Sequence, residues 1–257
     1  MTINVNEDST EYRDALLTLY KNSYEACNKR LFETQTKLDI VSNHYENADR
    51  VVKRLENLLK LKYKSNSIMD HFYDGINGHF DYPEVYTIAV NEAPDTAHFV
   101  EIGAYFGQST AYLGVEIVNS KKNIKLDVID TWQGNDSSEY QEGNWGHHMT
   151  LNNDTYLNFT KNMKPLEGRY TPIQMDSVKA AELYEDRSLD FVFIDGAHDY
   201  KYVKADIEAW LPKVKIGGYL AGHDYTHGDH DEVIKAVDEA FGENIKVYHR
   251  SWMHKVG

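Results

Sequence analysis

HFVEIGAYFGQSTAYL, residues 98–113, begins as an apolar β-rich run, turns on glycine and continues into a segment whose start is marked by Ser109 and Thr110. β-branched and aromatic residues before the turn predict a buried strand, and the hydroxyl residues after it predict the start of a helix. The chain downstream repeats this unit. IKLDVID (124–130), YTPIQM (170–175), LDFVFID (189–195) and GGYLAGHD (217–224) read as strands, with helical stretches at 109–119, 152–162, 177–185, 200–211 and 231–241 between them. Strands spaced by helices predict an α/β fold, a doubly wound, mostly parallel sheet covered on both faces. The last run, IKVYHRSWMHKV (245–256), reads as a closing strand pair. Ligands of such sheets bind at the carboxyl ends of the strands, where this sequence gathers Glu101 to Gly107, Asp130, Asp176, Asp195 and Asp224.

The residues of the first turn suggest what kind of ligand. Gly103 lets the backbone come close to a bound group, and Gly107 with Ser109 opens a helix whose free amides favour a carboxylate or phosphate. The spacing is GxxxG, with Tyr105 where a dinucleotide fingerprint has its second glycine, which disfavours a nicotinamide cofactor. A tight strand-to-helix turn explains the glycines but not Glu101, whose charge sits at the crevice end of the strand. Asp130, at the end of the second strand, can accept both hydroxyls of a ribose or can serve its own turn. Asp176 and Ser177 can address an adenine amino group or cap the helix that follows them.

The fourth strand leads into FIDGAHDYKYVKADIEAWLPKVKIGGYLAGHDY (193–225). With EIGxxxGxS and the aspartate after strand two, this segment makes residues 82–257 resemble the class I S-adenosylmethionine-dependent methyltransferases. Within them it is similar to the branch of metal-dependent sugar O-methyltransferases and their cephalosporin-hydroxylase-like relatives. The resemblance implies a Rossmann-like methyltransferase fold with Glu101, Gly103, Tyr105 and Ser109 around the methionine part of S-adenosylmethionine. It places Asp130 at the ribose, Asp176 and Ser177 at the adenine, and Trp132 over the adenine ring. It implies a divalent metal, magnesium or manganese, on Asp195, His223 and Asp224, with His198 as general base. His223 stands where the family has a carboxylate, and imidazole suits manganese, iron or zinc better than magnesium, so either the metal differs or His223 does not ligate. Simpler roles stand beside these. Asp199 can cap the helix from Tyr200, His198 can be a solvated loop residue, and His227, Asp229, His230 and Asp231 read as a polar loop.

The leading third of the chain has another grammar. The first glycine is Gly75 and the first proline Pro83, so residues 1–68 lack both helix breakers. Apolar residues recur every seventh position from Leu17 through Leu31 and Leu38 to Leu59, and a second track runs three places later through Tyr20, Cys27, Val41 and Leu55. Asp8 or Ser9 can cap this helix. These are the a and d positions of a long N-terminal coiled coil, and a helix with one narrow apolar stripe predicts a homo-oligomer, unless it folds back on its own domain. Thr34 and Ala48 weaken the seam. Residues 65–82 break the heptad with Asp-Gly and Asn-Gly turn signals, so the sequence divides into a coiled coil, 1–68, and a catalytic domain, 69–257.

Lys and Arg total 27 against 41 Asp and Glu, a formal charge of -14, and no basic stripe offsets it, so nucleic acid is excluded as a partner. No run reaches the roughly 18 apolar residues of a membrane span. A single cysteine, Cys27, excludes disulfide scaffolds and thiolate zinc sites and predicts a cytoplasmic setting. The turn-rich insertion 131–154, with Trp132, Tyr140, Trp145, His147 and His148, predicts an acceptor pocket suited to a carbohydrate. The expected function is methyl transfer from S-adenosylmethionine to a hydroxyl of a small polyhydroxylated acceptor. The competing expectations are a hydroxylase-like enzyme of the same branch and a non-catalytic coiled-coil scaffold with a cofactor-binding domain.

Overall fold

Alternation along each strand sends side chains to the two faces of one sheet, and this decides how the helices pack. In strand β4 (Leu189–Ile194), Phe191 and Phe193 face one core, while Val192 and Ile194 face the other. Strand β1 (Thr96–Ile102) does the same with Phe99 against Val100 and Ile102. The first core is completed by helices α1 (Pro83–Glu92), α2 (Gln108–Ser120) and α3 (Thr155–Asn162), and the second by α4 (Ser177–Ala181), α5 (Tyr200–Trp210) and α6 (Asp231–Phe241). Each large side chain buried on either face contributes roughly 1.5–3 kcal/mol, so a sheet covered on both sides holds the strand ends rigidly. The computed structural model describes residues 68–133, 154–228 and 230–257, together with Thr18, Lys21 and Lys29. The heptad tracks and most of the 131–154 insertion lie outside the described residues.

Residues Ile68–Gly257 form one compact unit. Strands β2 (Asn123–Asp130), β3 (Thr171–Gln174), β5 (Val214–Gly222), β6 (Lys246–Tyr248) and β7 (Ser251–Lys255) complete a seven-stranded sheet in the order β3-β2-β1-β4-β5-β7-β6. Strands β1 to β5 run parallel, and β7 is antiparallel to both β5 and β6. The doubly wound sheet and its closing strand pair are those expected from the sequence. The order reverses between β1 and β4, the switch point at which crevices open in such sheets.

Three boundaries differ from expectation. Helix α1, headed by Pro83 at its first position, had no counterpart in the strand–helix reading, because its ten residues precede the first strand signal. Helix α4 stops at Ala181 rather than 185. The 69–82 stretch, read as a junction, is packed on the domain: the Met69 amide donates to Asn119 Oδ1 at 2.7 Å and Asn119 Nδ2 donates to the Met69 carbonyl at 2.9 Å. Tyr73, Phe80 and Tyr112 interlock beside it at ring distances of 5.0–5.3 Å. The turn signals there are real, but the aromatic residues between them give the segment something to bury. No helix among the described residues is long and apolar enough to cross a membrane.

Candidate active site

A cavity of about 570 Å³ lies across the carboxyl ends of the parallel strands, within the range of small-molecule and cofactor sites. Its lining includes Gly103, Tyr105, Ser109, Asp130, Trp132, Asp176, Ser177, Asp195, His198, His223 and Asp224, so eleven of the twelve residues singled out in the sequence share one wall. Glu101 is the twelfth and does not line it.

At the switch point Gly103 has φ +85°, and a Cβ there would stand 1.8 Å from the Asp195 carbonyl oxygen. The close approach this glycine permits is therefore between the ends of β1 and β4. The turn beyond it is held by Asp130. One carboxylate oxygen accepts from the amides of Ala104 and Tyr105 at 2.8 Å, and the other from the Trp132 amide at 2.7 Å. Both roles weighed for Asp130 thus draw on the same roughly four acceptor sites, of which three amides already occupy most. Burial raises its pKa, against the pull of these amides. Tyr105 and Trp132 have φ of 48° and 51°, a left-handed conformation that is costly for bulky residues and is fixed here by the shared carboxylate. The Trp132 indole donates to the Tyr105 carbonyl at 2.9 Å and packs on Phe159, closing the loop on itself.

At one end of the cavity Asp176 caps α4, accepting from the Lys179 amide at 3.1 Å, while still lining the cavity. Ser177 accepts from the Trp210 indole at 2.9 Å. Beside it Asp206, which the sequence reading did not single out, is buried on α5 and lines the cavity. Burial pushes its carboxyl up to about 7, opposed by a Ser177 hydrogen bond and helped by the nearby Asp176.

The other end gathers acids and imidazoles. Asp224, at φ 58°, places Oδ2 at 2.8 Å from His198 Nε2 and 3.2 Å from His223 Nδ1. Asp195 Oδ1 lies 3.8 Å from His223 Nδ1 and 3.9 Å from His198 Nε2. Burial works against charge on His223, but bonding to Asp224 and the proximity of Asp195 and Asp81 push it up to about 9. Burial likewise opposes ionisation of Asp224, yet His198 and His223 hold it well below the usual carboxylate range. Ligands about 2.1 Å from an ion stand roughly 3–3.5 Å apart. The donor atoms of Asp195, His223 and Asp224 lie within 4.8 Å of one another, a two-oxygen, one-nitrogen set that fits a divalent cation.

His230 also turns in, with Nε2 3.3 Å from Asp224 Oδ1 and its ring 4.7 Å from that of His198. It departs from the polar loop expected there, to which the exposed His227 conforms, while the likewise exposed Asp231, 3.7 Å from His227, opens helix α6; Asp229 lies outside the described residues. Arg250, from the β6–β7 turn, reaches Asp224 Oδ1 at 3.4 Å and lines the same end.

Residues 100–225 match a family described as a methyltransferase domain. Over that stretch the chain is similar to methyltransferase domains, on a sheet of the Rossmann-like kind. Among solved structures, the O-methyltransferase NovP is similar with a TM-score of 0.51 at 18% identity, covering 68% of this chain and 78% of that one. CalS11, a calicheamicin methyltransferase, is similar with a TM-score of 0.53 at 13% identity, covering 68% of this chain and 77% of that one. The uncharacterized protein y4gI of Sinorhizobium fredii is 26% identical over 131 residues, 51% of this chain. The chain spans 13% of the length of that curated relative.

Two features of this domain were not visible in its motifs. Glu101 is fully buried on the α1–α2 face of β1, accepting from Tyr86 Oη at 2.7 Å and Thr110 Oγ1 at 2.5 Å, with Ser109 bonded to it as well. Burial pushes it up to about 7 despite these three donors. Its charge therefore lies beneath the turn and behind Ser109, because alternation along β1 aims residue 101 at the same face as Phe99. The second feature is upstream of the matched region. Tyr82 Oη donates to Asp195 Oδ2 at 2.7 Å, and Asp81 Oδ1 accepts from His223 Nε2 at 2.7 Å. Their only sequence signal was the aromatic run ending at Tyr82, within a segment dominated by turn residues.

Proposed function

We propose that this chain transfers a methyl group from S-adenosylmethionine to a hydroxyl oxygen of a small polyhydroxylated acceptor, a sugar being the class that fits best, with a divalent cation assisting. The observation that carries this reading is that His198, Asp195, His223 and Asp224 converge at one end of the cavity that begins at the Gly103 turn. NovP is described as an O-methyltransferase, which agrees with oxygen as the acceptor atom.

The sulfonium of the cofactor supplies an activated methyl, so the protein has to provide in-line positioning and a deprotonated acceptor. The 103–105 turn, ordered by Asp130, would seat the methionine part. Asp176, Ser177 and the neighbouring Asp206 would meet the adenine end, and Asp130 would offer its remaining acceptor capacity to the ribose. Asp195, His223 and Asp224 would hold the cation, whose contribution is to acidify a coordinated hydroxyl. His198, whose Nε2–H is held by Asp224 Oδ2, would take the hydroxyl proton on Nδ1, with Asp224 stabilising the imidazolium that forms. The cytoplasm is the compartment this reading assigns, and the N-terminal heptads supply the proposed oligomer contact.

His198→Ala tests the base. Turnover, followed as S-adenosylhomocysteine formed with a panel of sugars, should fall by roughly 10²–10⁴-fold, while cofactor affinity by titration calorimetry stays within about twofold. Equal loss of both would remove His198 from the chemistry.

A further inference from the structure

The two candidate cation ligands that arrive on different strands, Asp195 after β4 and His223 after β5, are each gripped from the same side by consecutive residues of one segment. Asp81 and Tyr82 belong to the stretch packed against α2 through Asn119 and Tyr112, upstream of the region that matches the methyltransferase family. We propose that this segment is a working part of the cation site: Asp81 holds His223 as a nitrogen ligand, Tyr82 orients Asp195, and the site they build selects a first-row transition-metal dication over magnesium. The proposal rests on the cation-assisted reading given above.

The imidazole of His223 has distinct surroundings at its two nitrogens. Nε2 faces Asp81 Oδ1 at 2.7 Å, while Nδ1 faces Asp224 Oδ2 at 3.2 Å and Asp195 Oδ1 at 3.8 Å. A carboxylate that accepts from one ring N–H fixes the proton there and directs the lone pair of the other nitrogen into the cluster, the arrangement by which proteins orient metal-binding histidines. The ring is 7% exposed and packs 4.5 Å from the Tyr82 ring, so it is held between Asp81 and the cluster. Tyr82, 2% exposed and stacked on Phe193 at 4.7 Å, donates to Asp195 Oδ2 and leaves Oδ1 as the oxygen nearest His223. A simple ion pair would account for Asp81 and His223. What marks the ring as more than a paired side chain is that its other nitrogen faces two carboxylates carried on different strands, the placement of a ligand nitrogen in a cation site.

Magnesium demands oxygen ligands in near-ideal octahedral geometry and gives up water reluctantly, whereas imidazole suits manganese, iron, cobalt and zinc. One nitrogen ligand among two carboxylates therefore shifts preference toward those metals, and Asp81 raises the basicity of that nitrogen further.

The test uses the full chain without acceptor. Mn²⁺ and Mg²⁺ affinities are measured by titration calorimetry and Mn²⁺ electron paramagnetic resonance, and S-adenosylmethionine affinity is measured separately. Wild type should bind Mn²⁺ at least about tenfold more tightly than Mg²⁺. Asp81→Asn should weaken Mn²⁺ roughly 10–100-fold with cofactor affinity unchanged, Tyr82→Phe should weaken it less, and His223→Asp should narrow the Mn²⁺/Mg²⁺ ratio. With diamagnetic Zn²⁺, ¹⁵N spectra should report the Nε2–H form of His223 in wild type. Equal Mn²⁺ and Mg²⁺ affinities, or an Asp81→Asn chain that binds Mn²⁺ as wild type does, would overturn the proposal. Absence of cofactor binding with the metal preference intact would sink the methyl-transfer reading and leave this one standing.

Discussion

Replacing Asp206 with asparagine should change how the fold responds to pH, and the sign follows from burial. The side chain is 5% exposed, its pKa lies at about 7 in the folded chain, and an unfolded aspartate titrates near ~3.9. Below pH ~4 both states hold the proton and the site contributes no difference. Between ~4 and 7 the unfolded chain releases the proton while the folded chain keeps it, so stability falls as pH rises, and above 7 the full penalty is present. A difference of roughly 3 pKa units corresponds to an upper bound of ~4 kcal/mol. The amide introduced by Asp206→Asn carries no such penalty and retains an oxygen for the Ser177 hydroxyl. The variant should therefore lie within about 1 kcal/mol of wild type at pH 4.5 and exceed it at pH 8 by several kcal/mol, about 10 °C in melting temperature for a unit of this size. Urea denaturation of both chains at pH 4.5, 6, 7 and 8, without cofactor, measures this. Glu101 shifts in the same direction, so the decisive quantity is variant minus wild type, in which its contribution cancels. Parallel curves for the two chains would show that Asp206 is not a buried acid and refute the reasoning.

Other perturbations test the rest of the site's scaffold. Gly103→Ala should cost more than about 3 kcal/mol, since its Cβ would sit 1.8 Å from a backbone oxygen, whereas Gly168→Ala, at φ +77° with nothing within 4 Å, should cost only the ~1–2 kcal/mol of a left-handed residue; thermal melts compare the pair. Asp127 is 2% exposed and, although burial opposes its charge, hydrogen bonds from His98 and Lys125 lower it to about 2. Its stabilisation is present above the unfolded value near ~4 and is lost as pH falls through 2, so Asp127→Asn should lose about 2 kcal/mol at pH 6 and almost nothing at pH 2 in denaturant titrations.

The parts of the fold that could be read from sequence are those where one local rule speaks for a whole element. Strands β1, β2, β4 and β5 are apolar runs ended by glycine or acid, and a parallel sheet buried on both faces requires that pattern. Because ligands gather at the carboxyl ends of such strands, Asp130, Asp195 and Asp224 could be placed near one another from the sequence alone. What a strand pattern does not carry is depth. Glu101 sits at the crevice end of β1 in sequence, and although alternation turns it to the face of Phe99, that its carboxyl is buried there shows only in its pairing with Tyr86 and Thr110. Asp206 and His230 were missed for a related reason: one lies mid-helix and the other in a polar loop, and in each case tertiary packing turns an ordinary surface residue into the cavity.

The segment before α1 takes the same point a step further. Its Asp-Gly and Asn-Gly turns mark it as a junction, and in backbone terms it is one, but a junction between a helical region and a catalytic domain still has to be anchored. Asn119 and Tyr112 supply the anchor on α2, and the consequence is that Asp81 and Tyr82 are delivered to the ends of β5 and β4. His223, which departs from the carboxylate expected at its position, is the residue to which Asp81 is matched. The departure and the added partner make physical sense together: a histidine ligand without a second acceptor would be free to present either nitrogen, and a carboxylate at position 81 without a histidine opposite it would add a further negative charge to a cavity already lined by Asp130, Asp195 and Asp224. Exchanging both at once, Asp81→Asn with His223→Asp, should therefore harm cation binding less than Asp81→Asn alone, a coupling that calorimetry on the four chains of the double-mutant cycle measures directly.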